Sequence, residues 1–177
     1  MMKSVKYGCD HIFFVGFLGA GKSTLARNLG GLFHRRFVDT DRLVVRRAGM
    51  SVTDLFETYG ESYFRKLETS ALDSLQYEKS LLVSCGGGII ETPINSDLLK
   101  KMGTVVYLEL DIEDCLCQIR RSDTRPDFVS PDYASKLLEH RRPLYEQIAD
   151  YTIDIRGKSF RDVTYLAAEL LVERGLL

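Results

Sequence analysis

The sequence predicts a three-layer α/β/α domain around five parallel strands. Short apolar runs recur along the chain, stretches of helical periodicity follow them, and turns rich in glycine or aspartate separate the two. The first strand is His11 to Val15, its apolar run Ile12-Phe13-Phe14-Val15 stopping at a glycine-rich turn. Ser23 to Leu29 then reads as a helix ending near Gly30-Gly31. A short strand from Arg36 to Val38 runs into Asp39-Thr40-Asp41, and helical segments follow over 42–48, 52–59 and 61–79. The strand Leu81 to Ser84 closes on Gly86-Gly87-Gly88, and the strand Thr104 to Leu110 precedes a helix capped by Asp111 and running to Arg121. Prolines and aspartates interrupt the periodicity between Ser122 and Asp132, as in a mobile loop. A helix from Asp132 to Ile148, a strand from Tyr151 to Ile155 and an amphipathic helix from Arg161 to Arg174 complete the pattern. No repeat, low-complexity tract or linker divides the chain, so residues 1–177 read as one domain.

Composition narrows the function classes. With 24 Lys+Arg against 25 Asp+Glu the formal charge is −1, which argues against nucleic acid as the main partner. No apolar run approaches the roughly 20 residues of a membrane span, so no membrane partner is expected. The four cysteines Cys9, Cys85, Cys115 and Cys117 lack zinc-site spacing, and no signal-peptide pattern is present. A reducing cytoplasm is therefore the expected location. His11, His34 and His140 stand in no catalytic or metal-binding motif and read as packing or surface residues.

Chemistry enters at Gly16-Phe17-Leu18-Gly19-Ala20-Gly21-Lys22-Ser23, which matches G-x-x-x-x-G-K-[ST] between an apolar strand and a helix. Glycines let successive backbone N–H groups turn toward phosphate oxygens, and the helix N-terminus adds a favourable dipole. Gly19, Ala20, Gly21, Lys22, Ser23 and Thr24 are the expected nucleotide-binding set. Lys22 would bridge the β- and γ-phosphates, and Ser23 would ligate Mg²⁺. An Asn-Lys-x-Asp stretch for base recognition is absent, which favours a small-molecule kinase over a GTPase switch.

The acceptor side follows from three further clusters. Asp39 and Asp41 stand at the carboxyl end of a strand, where ligands bind in open parallel sheets, and can divide metal and hydroxyl duties. Gly86-Gly87-Gly88 closes another strand and allows close backbone approach to a ligand. Arg65 and Glu68 share a helical face, so the carboxylate can hold the guanidinium, and Arg141 is a second candidate. Two arginines clamp a carboxylate by bidentate hydrogen bonds, which makes the expected acceptor an acid bearing hydroxyls.

In order, Gly-x-x-Gly-x-Gly-Lys-Ser, Asp-Thr-Asp, Gly-Glu-x-x-Phe-Arg, Gly-Gly-Gly, Val-Val-Tyr-Leu, Arg-Pro and Arg-x-Pro-Leu-Tyr resemble the shikimate kinases from about residue 12 to 155. The resemblance implies a nucleoside monophosphate kinase fold with sheet order 2-3-1-4-5, and transfer of phosphate from Mg·ATP to the 3-hydroxyl of shikimate by a monomeric enzyme. It implies that Asp41 contacts that hydroxyl, that Asp39 reaches Mg²⁺ through water, and that Arg65 and Arg141 grip the shikimate carboxylate. Gly86, Gly87 and Gly88 would lie against the ring hydroxyls, with Phe56 and Phe64 as an apolar wall in an acceptor-binding region over about 40–79. Arg125 matches a lid arginine within about 122–132, and Arg121 matches a position along the adenine. Two departures stand out: the lid reads Arg125-Pro126-Asp127-Phe128 where the family has Arg-Pro-Leu-Leu, and Ser84 stands where many P-loop enzymes keep a metal-binding aspartate. Another P-loop kinase of a hydroxy acid, such as a gluconate kinase, is the alternative expectation.

Overall fold

A computed structural model describes residues 8–119 and 130–177. Five parallel strands form one sheet: β1 (His11–Val15), β2 (Phe37–Asp39), β3 (Leu82–Ser84), β4 (Gly103–Glu109) and β5 (Tyr151–Asp154). Their order is β2-β3-β1-β4-β5, as the resemblance implies. Strands covered on both faces must be apolar throughout, and this explains the unbroken runs: β1 and β3 are buried at every position. The edge strands β2 and β5 are less buried and carry polar residues, as befits their position.

Eight α-helices surround the sheet among the described residues: α1 (Lys22–Phe33), α2 (Thr40–Ala48), α3 (Val52–Tyr59), α4 (Glu61–Asp73), α5 (Pro93–Met102), α6 (Ile112–Ile119), α7 (Pro131–Ile148) and α8 (Phe160–Glu173). Side-chain hydroxyls satisfy orphan amides at three of their starts: Ser51 accepts from the Asp54 amide, Ser130 from Tyr133 and Ser159 from Asp162. The main core lies against the sheet, and a second cluster of Val44, Leu55, Phe64 and Ala71 knits α2, α3 and α4 together. No helix among the described residues is long and apolar enough to cross a membrane. Cys9, Cys85 and Cys115 are buried and Cys117 is exposed, all as free thiols.

Three sequence expectations change, the first being that the helix expected over 61–79 ends at Asp73 and passes into a 3-10 turn, Ser74–Tyr77. The first helix does not stop at Gly30-Gly31 but continues to Phe33, where His34 caps it in a left-handed conformation (φ 53°). Gly30 serves close packing rather than termination, since a Cβ there would stand 2.8 Å from the Arg35 carbonyl oxygen. Helix α5 lies in a stretch to which the sequence reading assigned no element, although Pro93 opens it and Gly103 follows it. The expected lid residues 122–129, together with Arg121 and Arg125, lie outside the described residues.

His11 ties the amino end of the sheet to the segment before β3. Its Nε2 donates to the Leu75 carbonyl at 2.9 Å and its Nδ1 accepts from the Leu81 amide at 3.1 Å, a pairing that only the neutral ring can make. Burial lowers its pKa from the ordinary 6.5, and Arg35 adds to the fall, while the Leu75 carbonyl, Glu78 and Asp10 oppose it. The unfolded chain binds the proton at the ordinary value, so this contribution to stability is full above about pH 6.5 and is lost as the pH falls below it. The slope is at most about 1.4 kcal/mol per pH unit. Urea denaturation from pH 7.5 to 5 is expected to show the wild-type chain losing stability relative to His11→Gln; parallel curves would exclude His11 as the titrating group.

Candidate active site

The glycine-rich turn between β1 and α1 is shaped by backbone conformation. Gly21 holds φ at 74°, a left-handed value that side chains disfavour, and so starts α1 directly at Lys22. Lys22 is buried, and its Nζ donates to the Gly16 and Phe17 carbonyls at 2.8 Å each. The ammonium therefore stands inside the loop whose amides would surround phosphate oxygens.

Parallel register brings the neighbouring strand ends to this turn. Asp39 pairs with Ser84 and Ser84 with Phe14, so the carboxyl ends of β2, β3 and β1 lie side by side. Ser23 Oγ donates to Asp39 Oδ2 at 2.7 Å and stands 2.9 Å from Ser84 Oγ. Asp39 also caps α2, its Oδ1 accepting from the Arg42 amide at 3.2 Å. Asp39 thus divides its carboxylate, one oxygen meeting Ser23 and the other capping α2. A groove of about 490 Å³ runs past Gly19, Gly21, Lys22, Ser23 and Thr24 toward Asp41. Phe160, the first residue of α8, closes its outer side near Gly21, a contribution that the sequence reading missed.

A second cavity of about 400 Å³ opens beside the first. Asp41, Phe56, Phe64, Arg65, Glu68, Gly86, Gly87, Gly88 and Arg141 all line it. The expected acceptor residues, drawn from α2, α3, α4, α7 and the turn after β3, are therefore brought together. Phe56 and Phe64 pack with ring centroids 4.8 Å apart, forming one apolar wall.

The turn at Gly86–Gly88 leaves no room for a side chain at its first and third residues. A Cβ on Gly86 would collide with Asp41 Oδ1 and one on Gly88 with the Arg65 guanidinium. Thr40, which the sequence reading passed over between the two aspartates, fixes this turn by accepting a 2.9 Å hydrogen bond from the Gly86 amide.

Carboxylates hold both arginines. Arg65 donates from NH1 to Glu68 Oε2 at 3.0 Å and from NH2 to Glu61 Oε1 at 3.0 Å, bearing out the expected Arg65–Glu68 pairing. Arg141, 3% exposed, donates from Nε to Glu91 Oε1 at 2.6 Å, and its guanidinium lies over Phe17. Tyr145, one turn further along α7, donates to the Gly87 carbonyl at 2.5 Å. Glu91 and Tyr145 had no assigned role in the sequence, and both partners lie more than forty residues away. Burial pushes the Glu68 carboxyl up to about 7, with Asp41 adding to the rise and Arg65 and Arg141 opposing it. Its Oε1 is buried with no hydrogen-bond partner among the described residues.

The arrangement offers a phosphate-binding loop, an oxygen-rich cluster suited to a hard cation, and a cavity with two carboxylates and two arginines. The shikimate kinase family model matches residues 18–171. A shikimate kinase of Vibrio parahaemolyticus is 37% identical over 167 residues, covering 93% of this chain and 97% of its own. One of Caldanaerobacter subterraneus is 38% identical, covering 86% and 91% respectively. The solved structure of shikimate kinase from Acinetobacter baumannii in complex with shikimate superposes with a TM-score of 0.89 at 34% identity, covering 99% of this chain and 97% of that one. Sequence, fold and site agree, and the chain belongs to the shikimate kinase family.

Proposed function

We propose that the protein transfers the γ-phosphoryl group of ATP to the 3-hydroxyl of shikimate, giving shikimate 3-phosphate and ADP. The observation that carries this reading is that Asp41, Gly86 and Gly87 line both cavities. A phosphate held at the loop and a hydroxyl held in the acceptor cavity would meet there.

Each residue then has a physical task. Arg65 and Arg141 grip the shikimate carboxylate, the three-glycine turn admits the ring hydroxyls, and Phe56 with Phe64 covers the ring's apolar face. Asp41 orients the 3-hydroxyl and accepts its proton as the new P–O bond forms and the bond to the ADP oxygen breaks. Lys22 offsets the charge that develops on the moving group and on the departing ADP. The resemblance assigns Arg125, in the expected lid over about 122–132, a part beside Lys22, and Arg121 a part toward the adenine. Mg²⁺ fits the oxygen donors Ser23 and Asp39, with Ser84 beside them, and would supply neutralisation of phosphate charge when bound. The reading includes residues 1–177 acting as one domain, a monomer with its acceptor-binding region at about 40–79, working in the cytoplasm, where free thiols such as Cys85 and Cys117 persist.

Glu68 links acceptor binding to pH. A bound carboxylate adds negative charge near Glu68 and raises its proton affinity further, so binding takes up a proton. Affinity is then higher below pH 7 than above it.

Two measurements test the reading. ADP release with Mg·ATP is expected to be strongly stimulated by shikimate, and Asp41→Asn to lower kcat at least about a hundredfold, the range usual for a general acid–base group. Near-normal turnover in that variant would remove Asp41 from the chemistry. Calorimetric titration with shikimate at pH 7.5, in two buffers of different ionisation enthalpy, is expected to show proton uptake by the wild type and none by Glu68→Gln. Equal uptake in both chains would assign the proton elsewhere.

A further inference from the structure

We propose that Glu91 is a positioning residue for the acceptor: its carboxylate holds the Arg141 guanidinium against the Gly86–Gly88 turn, so that the arginine meets the acceptor's carboxylate already aimed. The proposal rests on the reading of Arg141 as a carboxylate-binding residue.

The geometry around Glu91 is rigid. Glu91 ends a 3-10 turn, Ile89–Glu91, that grows directly out of the glycine turn. The Ile89 amide donates to the Gly86 carbonyl at 3.1 Å and the Glu91 amide to the Gly88 carbonyl at 3.0 Å. Asn95, fully buried, donates to the Ile89 carbonyl at 3.0 Å and locks the turn from α5. Glu91 is thus anchored to the same backbone that lines the acceptor cavity.

Arg141 comes from α7, which packs against the Ile89–Glu91 turn, and its burial makes a partner necessary: a guanidinium removed from water is costly unless a carboxylate compensates it. The bond to Glu91 engages Nε, while NH1 is turned toward Gly87, 3.6 Å from where a Cβ on that residue would stand. Glu91 therefore occupies the inner edge of the planar fork and sets the direction of its outer edge. The side chain of Glu91 is 25% exposed and does not line the acceptor cavity, so it reaches that cavity through Arg141. Arg65 takes its carboxylates from its own helix, three residues after it and four before it, whereas the Glu91 carboxylate that meets Arg141 lies fifty residues away. An arginine has several rotatable bonds, and ordering it before the ligand arrives removes that entropic cost from binding.

The test is steady-state kinetics on Glu91→Ala, Glu91→Gln and Arg141→Ala, with thermal unfolding of each. Glu91→Ala is expected to raise the shikimate KM about tenfold, as for loss of a charge-assisted contact that orders an arginine. Its kcat should stay within about twofold and its ATP KM should not change, because the substitution removes binding alone. Glu91→Gln keeps an oxygen for Nε and should restore most of the affinity. With the carboxamide of shikimate as acceptor, the effect of Glu91→Ala should shrink. A wild-type shikimate KM in Glu91→Ala beside a raised one in Arg141→Ala would overturn the role of Glu91 and leave the carboxylate reading intact. An unchanged shikimate KM in Arg141→Ala would overturn both. Equal rises in the shikimate and ATP KM with a lowered Tm would make Glu91 merely structural and also overturn the proposal. Should the alanine chain fail to fold, Glu91→Met must raise the shikimate KM and Glu91→Gln must not.

Discussion

Charge buried at the carboxyl end of the sheet is the constraint on which the site depends. Lys22, Glu68 and Arg141 are all buried, and Asp41 and Arg65 stand beside them. Such groups are tolerable only when each has partners, and the surrounding structure supplies them: loop carbonyls for Lys22, Glu61 and Glu68 for Arg65, Glu91 for Arg141. The same pairings immobilise the groups, and a preorganised cation or carboxylate does not have to be ordered when ligand binds.

Backbone without side chains makes the clustering possible. At Gly86 and Gly88 the chain passes so close to Asp41 and Arg65 that a single methyl group would displace them. Thr40 then pins the turn to α2, and Tyr145 pins it to α7. The turn is therefore a hub: α2 and α7, which both line the acceptor cavity, are positioned by hydrogen bonds to it, and movement of one would be felt by the other.

The division between phosphate loop and acceptor cavity follows from the sheet order. The central strand β1 delivers the loop, its neighbour β3 delivers the glycine turn, and β2 beyond it delivers Asp39 and Asp41 at the start of α2. Asp39 faces Ser23 and Asp41 faces Gly86, although only one residue separates them. The first turn of α2 begins at Thr40, and this change from extended to helical backbone rotates the second carboxylate away from the first.

By itself the sequence determined the strand–helix alternation and the phosphate-binding loop, because apolar periodicity and motif spacing are local signals, while much of the candidate site, Phe56 and Phe64 among it, came from the resemblance to a family. The Arg65–Glu68 pair belongs with these, since residues three apart on a helix are neighbours by construction. Gly30 resembles a helix stop, and only the Arg35 carbonyl folded back against it ahead of β2 shows that it is a close-contact position within α1. Tertiary structure alone decided that Glu91 holds Arg141, that Tyr145 binds the Gly87 carbonyl, that Phe160 closes the phosphate groove and that Ser84 stands beside Ser23. Each of these joins residues more than forty positions apart, or strand ends made adjacent by parallel register. No local pattern records such a pairing, because it arises only when the sheet order and the crossing helices have set the distances.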